Sequence, residues 1–317
     1  MAEINFKHYT VMKNEVVDAL NCVNSDKIFV DCTLGGGGHS EEILKRISLM
    51  GRLISFDVDD DAIQAASERL KDYKNLTIIK GSYADLDEHL KKLGIEKITG
   101  GIIFDLGASY HQLTTQKRGF SFLKDAPLDM RFNQNSDFSA WDVVNKYSER
   151  ELVEIFSSYG QERFSKRIAA AIVKNRPINT THELSDLIVK STPNVKSKIH
   201  PATRVFQALR IEVNHELLNF ENTLNKAIKL IDIGAIICVL SFHSLEDGLT
   251  KKIFKRYSAC RCDKYAPKCT CGGKIIELVN KKPIMASIDE IEKNPPSRSA
   301  KLRIAKKINE AKLETDF

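Results

Sequence analysis

The chain has 317 residues, of which 42% are hydrophobic, 28% charged and 8% aromatic, with a net charge of +6. This composition excludes an intrinsically disordered chain, and at roughly 150 residues per domain the length indicates about two domains. The longest apolar run, 235–240, is too short for a membrane span and the amino-terminal residues lack the apolar stretch of a signal peptide, so we expect a cytoplasmic protein without membrane association.

The first third of the chain alternates short β-rich runs with helical patterns. After a helix at 14–21, strands are predicted at 27–34, 52–58, 76–80 and 101–106, with helices at 40–50, 60–71 and 85–93 between them. Strands that alternate with helices of this length are typical of parallel sheets covered on both faces. The pattern therefore predicts a doubly wound α/β domain.

The alternation stops after residue 110. Apolar residues then recur at three- and four-residue spacing, which predicts helices at 149–159, 161–175, 181–190 and from 204 to about 231. Ser148 with Glu151, and Thr180 with Glu183, match the capping box that begins many helices.

The β-rich pattern returns at 235–242 and is followed by a helix from about residue 245. We interpret this return as a continuation of the first sheet. The sequence thus predicts an α/β domain formed by 1–110 and 215–317, with residues 111–214 inserted as a helical substrate-recognition domain.

A glycine-rich turn, 35–38, follows the first predicted strand. Glycines at this place let the backbone approach a ligand closely, but Ser40 stands where a dinucleotide fingerprint requires its third glycine. Asp31 before the turn and Asp57 at the end of the second strand instead resemble the pattern of methyltransferases that use S-adenosylmethionine, in which a carboxylate accepts hydrogen bonds from the ribose. Together they favour a cofactor site over a purely structural turn.

Two further residues follow strands of the same sheet. Asp105 ends the fourth strand, at the carboxyl edge where ligands of open α/β sheets bind, and is expected to contact the cofactor. Tyr83 follows the third strand, and it fits a wall of the adenine site and a core aromatic equally well.

Ordered sequence blocks along nearly the whole chain resemble the MraW family, the bacterial small-subunit ribosomal RNA methyltransferases H. The blocks are 8–11, 31–40, 105–107, 118–122, 127–131, 159–163, 200–204, 206–210, 241–247 and 294–300. The resemblance implies a Rossmann-like S-adenosylmethionine-dependent methyltransferase domain with a helical substrate domain. It also implies N4 methylation of a cytidine in the decoding region of 16S rRNA, with that rRNA, within the small ribosomal subunit, as the partner.

The resemblance further implies a set of cofactor contacts. By motif these are Gly37, Gly38, His39, Asp57, Tyr83, Asp105 and Gln112. Two positions depart from the family pattern. Tyr83 replaces the usual Phe, and residues 108–112 read Ala-Ser-Tyr-His-Gln in place of Val-Ser-Ser-Pro-Gln, so the loop that carries Gln112 lacks a rigidifying proline.

Methyl transfer to a cytosine amine needs a hydrogen-bond acceptor more than a strong base, because the amine lone pair is delocalised into the ring. Asp105 is the predicted catalytic acceptor. Asp129 and His243 are alternatives, although a turn-capping carboxylate and a core histidine explain these two residues slightly better.

The charge distribution suits a polyanion. Residues 1–110 carry 13 Lys and Arg against 18 Asp and Glu, 111–220 carry 16 against 12, and 221–317 carry 19 against 12. A solvated helix surface gives the same pattern. The predicted phosphate contacts are Arg118, Arg131, Arg163, Lys166, Arg167, Arg204 and Arg210, with Phe120 or Phe122 stacking on a base and a basic tail at 298–307 that either grips RNA or is a solvated helix end.

Four of the seven cysteines cluster near the carboxyl end. They are Cys260, Cys262, Cys269 and Cys271. Their C-x-C spacing fits a structural zinc site less well than C-x₂-C does, and four reduced thiols explain them slightly better. No metal is assigned to the predicted active site.

Two other function classes fit parts of the sequence. An NAD-dependent oxidoreductase uses the same kind of sheet, but Ser40 argues against it. A non-catalytic RNA-binding assembly factor fits the basic regions, but the intact Asp31, Asp57 and Asp105 argue against a dead cofactor pocket.

Overall fold

A computed structural model describes residues 10–193, 199–260, 262 and 273–310. The chain divides into two compact units, one formed by Met1–Gly107 with Leu218–Phe317 and the other by Ala108–Leu217. Within the described ranges, no helix has the length and apolar character that crossing a bilayer requires.

The strands all belong to the first unit. They are β1 (Ile28–Asp31), β2 (Arg52–Asp57), β3 (Leu76–Lys80), β4 (Gly101–Asp105), β5 (Ile236–Ser241), β6 (Ile276–Leu278), β7 (Ile284–Met285) and β8 (Lys301–Lys307). The helices are α1 (Lys13–Leu20), α2 (Gly38–Arg46), α3 (Asp60–Arg69), α4 (Leu86–Lys92), α5 (Tyr110–Thr114), α6 (Ala140–Lys146), α7 (Glu149–Ser158), α8 (Ser165–Lys174), α9 (Thr181–Ser191), α10 (Ala202–Asn214), α11 (Glu216–Leu230), α12 (Ser244–Tyr257) and α13 (Ile288–Lys293). Short 3₁₀ turns span Tyr83–Asp85, Gln116–Arg118 and Pro295–Ser299.

The sheet has the order β3-β2-β1-β4-β5-β8-β6, with β7 pairing to β8. Strands β1 to β5 run parallel, and β8 pairs antiparallel with β5. The strand order reverses between β1 and β4, and ligands of open α/β sheets bind at the carboxyl ends of the strands beside such a switch point. This confirms the predicted α/β Rossmann-like fold.

Both faces of the sheet are covered, which is why the parallel strands read as continuous apolar runs. On one face Ile102 and Ile237 pack with Leu86 of α4 and Phe220 of α11 in a shared core. On the other face, alternate residues of the same strands, such as Ile103, pack with α1 and α2. Most apolar side chains of β1, β2, β4 and β5 are therefore buried between the sheet and its helices.

The second unit contains helices α5 to α10 and a separate apolar core that includes Leu152, Phe156 and Leu209. The predicted capping boxes of Ser148 and Thr180 are present and begin α7 and α9. The predicted continuous helix from 204 to about 231 is interrupted, because His215 has a left-handed backbone (φ 50°) and separates α10 from α11.

The basic tail is a correction to the sequence interpretation. Residues Lys301–Lys307 form the interior strand β8, not a solvated helix end. Arg303 is buried against Asp247, with 2.6 Å between Nε and Oδ1, and Lys307 is completely buried. These two side chains therefore serve the sheet and do not face RNA.

Candidate cofactor and catalytic site

Asp31 supports the glycine-rich turn from below. Its carboxylate is fully buried and accepts hydrogen bonds from the Ser40 hydroxyl at 2.6 Å and the Thr33 N–H at 3.0 Å. Burial raises the pKa of Asp31, and the Ser40 bond opposes that rise. The carboxylate thus fixes the turn that follows β1, and no surface of its side chain is left for a ligand.

The glycines of the turn have distinct structural reasons. Gly37 precedes α2 with a left-handed backbone, φ 76°, a conformation that favours glycine. Gly38 is the first residue of α2, and a Cβ atom there would lie 1.7 Å from the Thr10 hydroxyl oxygen. The segment around Thr10 therefore packs directly on the backbone of the turn.

Asp57 connects the end of β2 to the same turn. Its Oδ2 accepts from the Gly35 N–H at 2.8 Å and its Oδ1 from the Asp59 N–H at 2.9 Å. Burial raises the pKa of Asp57 to about 6, against the opposing effect of these N–H donors. A carboxylate has lone pairs beyond these two bonds, so it can still accept from ligand hydroxyls.

His39 and Asp105 meet at the switch point. Asp105 ends β4, its N–H donates to the Thr33 hydroxyl at 2.7 Å, and its side chain is 17% exposed. The His39 Nδ1 lies 3.4 Å from Asp105 Oδ2, and the Nε2 lies 3.1 Å from the Val11 carbonyl oxygen. The structure thus brings together Gly37, Gly38, His39, Asp57 and Asp105, all within the first unit.

Tyr83 has a clear packing role. It opens the 3₁₀ turn after β3, where the Ser82 hydroxyl accepts from the Ala84 N–H. Its ring stands edge-on to Phe104 with 6.0 Å between the ring centroids. The core-aromatic interpretation therefore has a contact in its favour, and contact with an adenine stays a prediction.

Gln112 belongs to the second unit and is buried. Its Oε1 accepts from the Ser109 N–H at 2.8 Å, and its own N–H donates to the Ser109 hydroxyl at 3.2 Å. These reciprocal bonds form a capping box at the start of α5. The box gives this loop local order that the missing proline does not supply.

The two alternative acceptors are held in structural bonds. Burial alone would raise the pKa of Asp129, but hydrogen bonds from Arg131 outweigh it and lower the pKa. The closest contact, Arg131 Nη2 to Asp129 Oδ2, measures 2.6 Å. His243 caps α12, because its Nδ1 accepts from the Glu246 N–H at 3.4 Å, and its Nε2 lies 3.0 Å from a Glu246 carboxylate oxygen without the geometry of a hydrogen bond. Both arrangements favour the structural interpretation over proton transfer.

Some of the predicted RNA contacts are bonded or packed within the protein, and others are exposed. Arg118 is buried and donates to the carbonyl of Arg131 at 3.0 Å, and Arg210 pairs with Glu216 at 2.8 Å. Phe120 stacks on Phe132 and Phe122 on His200. Arg131 donates to the Ser136 carbonyl, and Arg204 donates to the Gln161 carbonyl at 3.5 Å. Arg163, Lys166 and Arg167 are exposed at the start of α8. These three are the exposed members of the predicted phosphate contacts and are therefore the ones best placed to meet phosphates.

The cysteine cluster is only partly described. Cys260 is exposed and Cys262 partly buried, whereas Cys269 and Cys271 lie outside the described residues. Within the ranges that the structure covers, no group of three or more His, Cys, Asp or Glu side chains is arranged to hold a metal ion. The zinc hypothesis is therefore untested.

Sequence reasoning missed Val11 and Thr33. Val11 supplies the carbonyl that contacts His39, and Thr33 accepts from the backbone of Asp105 across two strands. Both residues lie in sequence blocks that carry the family resemblance, but those blocks do not indicate these contacts, because each contact joins parts of the chain that only the folded sheet brings together.

Known proteins are similar to this chain over nearly its whole length. Ribosomal RNA small subunit methyltransferase H of Clostridium botulinum (strain Loch Maree / Type A3) is 47% identical over 311 residues, covering 96% of this chain and all of the relative. The protein of the same name from Caldicellulosiruptor bescii is 49% identical over 308 residues, with the same coverage. A solved putative rRNA-methylase from Clostridium thermocellum is 12% identical, with a TM-score of 0.44, covering 96% of this chain and 100% of its own.

The model of the MraW methylase family matches residues 5–308, nearly the whole chain. The methylase class of this family confirms the expected methyltransferase activity and S-adenosylmethionine cofactor. On this match and on these identities, the chain belongs to the MraW methylase family.

Proposed function

We propose that the chain transfers the methyl group of S-adenosylmethionine to the N4 amine of a cytidine in the decoding region of 16S rRNA. The observation that carries the proposal is the placement of two carboxylates, Asp57 and Asp105, at the carboxyl ends of β2 and β4, with the glycine-rich turn after β1 between them. The relatives' name, ribosomal RNA small subunit methyltransferase H, supports rRNA as the substrate.

The residues present fit this cofactor. Asp57 has acceptor capacity for the ribose hydroxyls, and the turn is open at Gly35, where a Cβ would meet only the Thr33 carbonyl oxygen at 3.9 Å. The cofactor has no pyrophosphate, so its binding does not require a third glycine at position 40. Bound S-adenosylmethionine supplies an electrophilic methyl group on a sulfonium.

Asp105 is the proposed acceptor of the amine N–H. An acceptor at this hydrogen returns electron density to the nitrogen and takes up its proton as the new bond forms. Asp105 suits this role because its side chain is partly exposed at the switch point. Asp129 is paired with Arg131, and the Nδ1 of His243 accepts from the Glu246 N–H.

The RNA would be held by phosphate contacts and would present an unstacked base. Extruding a base costs a few kcal/mol, least where the RNA is already unpaired. Arg163, Lys166 and Arg167 offer exposed cations for the phosphates. Phosphate contacts fix the register of a nucleic acid, whereas the base is read by the site itself.

The test is methylation of small ribosomal subunits that lack this modification. Labelled S-adenosylmethionine is added to subunits and, in parallel, to naked 16S rRNA, and the nucleosides are analysed. N4-methylated cytidine is the expected product, and label in protein or in another nucleoside would overturn the proposal.

Two variants make the assignment of Asp105 specific. Asp105→Asn should abolish methylation with RNA binding nearly intact, whereas Asp72→Asn, at an exposed position of the same unit, should behave as wild type. A thermal-shift comparison should show stabilisation by S-adenosylmethionine and none by NAD.

A further inference from the structure

His39 is a buried histidine with an oxygen atom at each ring nitrogen. Its ring is 4% exposed. Nε2 lies 3.1 Å from the carbonyl oxygen of Val11, and Nδ1 lies 3.4 Å from Oδ2 of Asp105. The ring therefore joins the amino-terminal segment of the chain to the carboxylate at the end of β4.

The hydrogen atoms of this arrangement can be counted. A peptide carbonyl and an ionised carboxylate both accept hydrogen bonds and cannot donate them, and a neutral imidazole carries one N–H. If Nε2–H donates to Val11, a neutral Nδ1 would aim its lone pair at a carboxylate oxygen. An additional proton removes this repulsion, either on Nδ1 of His39 or on Asp105.

We propose that His39 is a positioning residue, an imidazolium ion that donates from both nitrogens and holds the Asp105 carboxylate in place for the substrate amine. The role of Asp105 in this statement rests on the proposed function. Engagement of Oδ2 by His39 leaves Oδ1 for the amine, since no other bond to the Asp105 carboxylate occurs among the described residues. It also leaves only the backbone at residue 39 for contacts with the cofactor.

The surroundings favour the proton on His39. Two acidic residues face it, Asp105 at the end of β4 and Asp31 at the end of β1. Burial alone would lower the pKa of His39, but the hydrogen bond and charge of Asp105, together with the charge of Asp31, outweigh burial and raise it. The Val11 carbonyl acts in the same direction because it accepts only from a protonated Nε2.

Local packing holds the Val11 carbonyl against His39. Val11 is presented by the segment that lies on the glycine-rich turn, where Gly38 leaves room for Thr10. The Met12 N–H donates to Glu290 Oε1 at 2.7 Å, which fixes the other side of the segment. The carbonyl that orients His39 is therefore held by contacts on both of its neighbours.

The direct test is the protonation state of His39, read by ¹⁵N NMR of the full-length protein with labelled histidine. We expect both ring nitrogens of His39 to stay protonated at about pH 7, above the pKa of about 6.5 of an unperturbed imidazole. Asp105→Asn should move the His39 titration to lower pH, and Asp129→Asn should not. A neutral His39 ring at pH 6.5, or a titration that ignores Asp105→Asn, would overturn the proposal.

Kinetics give a second readout. His39→Gln can donate one hydrogen bond and no charge, so we expect kcat to fall about 100-fold, the size of effect that misplacing a reacting group produces, while the Kd of S-adenosylmethionine changes less than about 3-fold. An unchanged kcat contradicts the proposal. Because the NMR titration of the wild-type protein needs neither substrate nor a folded variant, failure of the rRNA assignment and failure of the His39 assignment are distinguishable.

Discussion

Three aspartates at the carboxyl edge of one sheet have different surroundings and therefore different chemistry. Asp31 is fully buried and bonded to Ser40, Asp57 is bonded to backbone N–H groups, and Asp105 faces a histidine. The same side chain thus serves as a structural support, a proposed ribose acceptor and a proposed amine acceptor. Burial and partners, which decide among these roles, are set by the neighbouring strands.

The proposed contact of Asp57 with the cofactor predicts that cofactor binding depends on pH. Its pKa is raised to about 6, and hydroxyl donors from a ribose favour the ionised form. The affinity for S-adenosylmethionine should therefore rise as the pH rises through about 6, with protons released on binding near that pH. Calorimetry between pH 5 and 8, in buffers of different ionisation enthalpy, measures both.

Asp57→Asn removes the titrating group, so it should weaken binding by about 10- to 100-fold, the range for a hydrogen bond to a charged group, and flatten the pH dependence. Asp72→Asn should leave the wild-type curve. A wild-type affinity that is constant over this pH range would contradict the proposed contact.

A side chain at Gly38 should destabilise the protein because it would clash with Thr10, and a double variant can test this cause. A Cβ would lie 1.7 Å from the Thr10 hydroxyl, so Gly38→Ala should lower the free energy of unfolding by about 1 to 3 kcal/mol, measured by urea denaturation. Adding Thr10→Gly should recover most of the loss.

Gly248→Ala is the matched control, because its Cβ meets no atom within 4 Å and should stabilise α12 by about 0.5 to 1 kcal/mol. Equal effects of the two alanine substitutions would refute the clash.

At the scale of whole elements, β8 completes the mixed sheet between β5 and β6. Its apolar residues Leu302, Ile304 and Ala305 are buried, and Lys307 is buried with them. The Lys307 ammonium donates to the Ile231 carbonyl at 2.6 Å, to the Lys229 carbonyl at 3.2 Å and to Glu310 at 2.9 Å. A lysine can occupy an interior strand because these oxygens replace its hydration.

Lys307→Met keeps the length of the side chain and removes its three bonds. We expect a loss of about 1 to 3 kcal/mol in the free energy of unfolding, because the Ile231 carbonyl loses a buried donor. Glu310→Gln changes only the half-exposed partner and should cost below about 1 kcal/mol. Chemical denaturation measures the free energy of unfolding of both variants. A larger loss from Glu310→Gln would show that the ion pair stabilises the protein more than the carbonyl bonds of Lys307 do.

Local sequence patterns predicted the regular elements of the fold. Elements whose burial depends on residues distant in sequence were not predicted. The five parallel strands and the capping boxes at Ser148 and Thr180 follow from local patterns. Strand β8 was missed because four of its seven residues are Lys or Arg, a composition typical of solvent-facing segments. Only the partners of Arg303 and Lys307, which are distant in sequence, make that strand buried.

The candidate site divides in the same way. Asp57 and Asp105 were predicted because strand ends of a parallel sheet meet at one edge. The contact of His39 with Val11 and Asp105 was beyond sequence reasoning, since it depends on side-chain directions that the motif does not specify. Cofactor contacts at all of these positions stay predictions.

At the scale of the whole molecule, exposed cations in the second unit should govern RNA affinity. Arg163, Lys166 and Arg167 carry no bond to other described residues. Reversing all three to Glu should weaken RNA binding and reduce its salt dependence by up to about three phosphate contacts, because each contact releases counterions. Binding of S-adenosylmethionine should not change.

The matched control reverses Lys91 and Lys92, which are equally exposed at the end of α4 in the first unit. Filter binding at several salt concentrations measures the slope. If the control lowers RNA affinity as much as the α8 variant does, net charge rather than this surface governs binding.

The order of the elements along the chain has a consequence for synthesis. Strands β1 to β4 leave the ribosome before Ala108–Leu217, and β5 and β8 emerge only after that segment. At roughly 5 to 20 residues per second, the nascent half-sheet waits about 5 to 20 seconds with one edge of β4 open. Until β5 emerges, that edge can pair with another chain, so the length of the segment between β4 and β5 sets the duration of this risk.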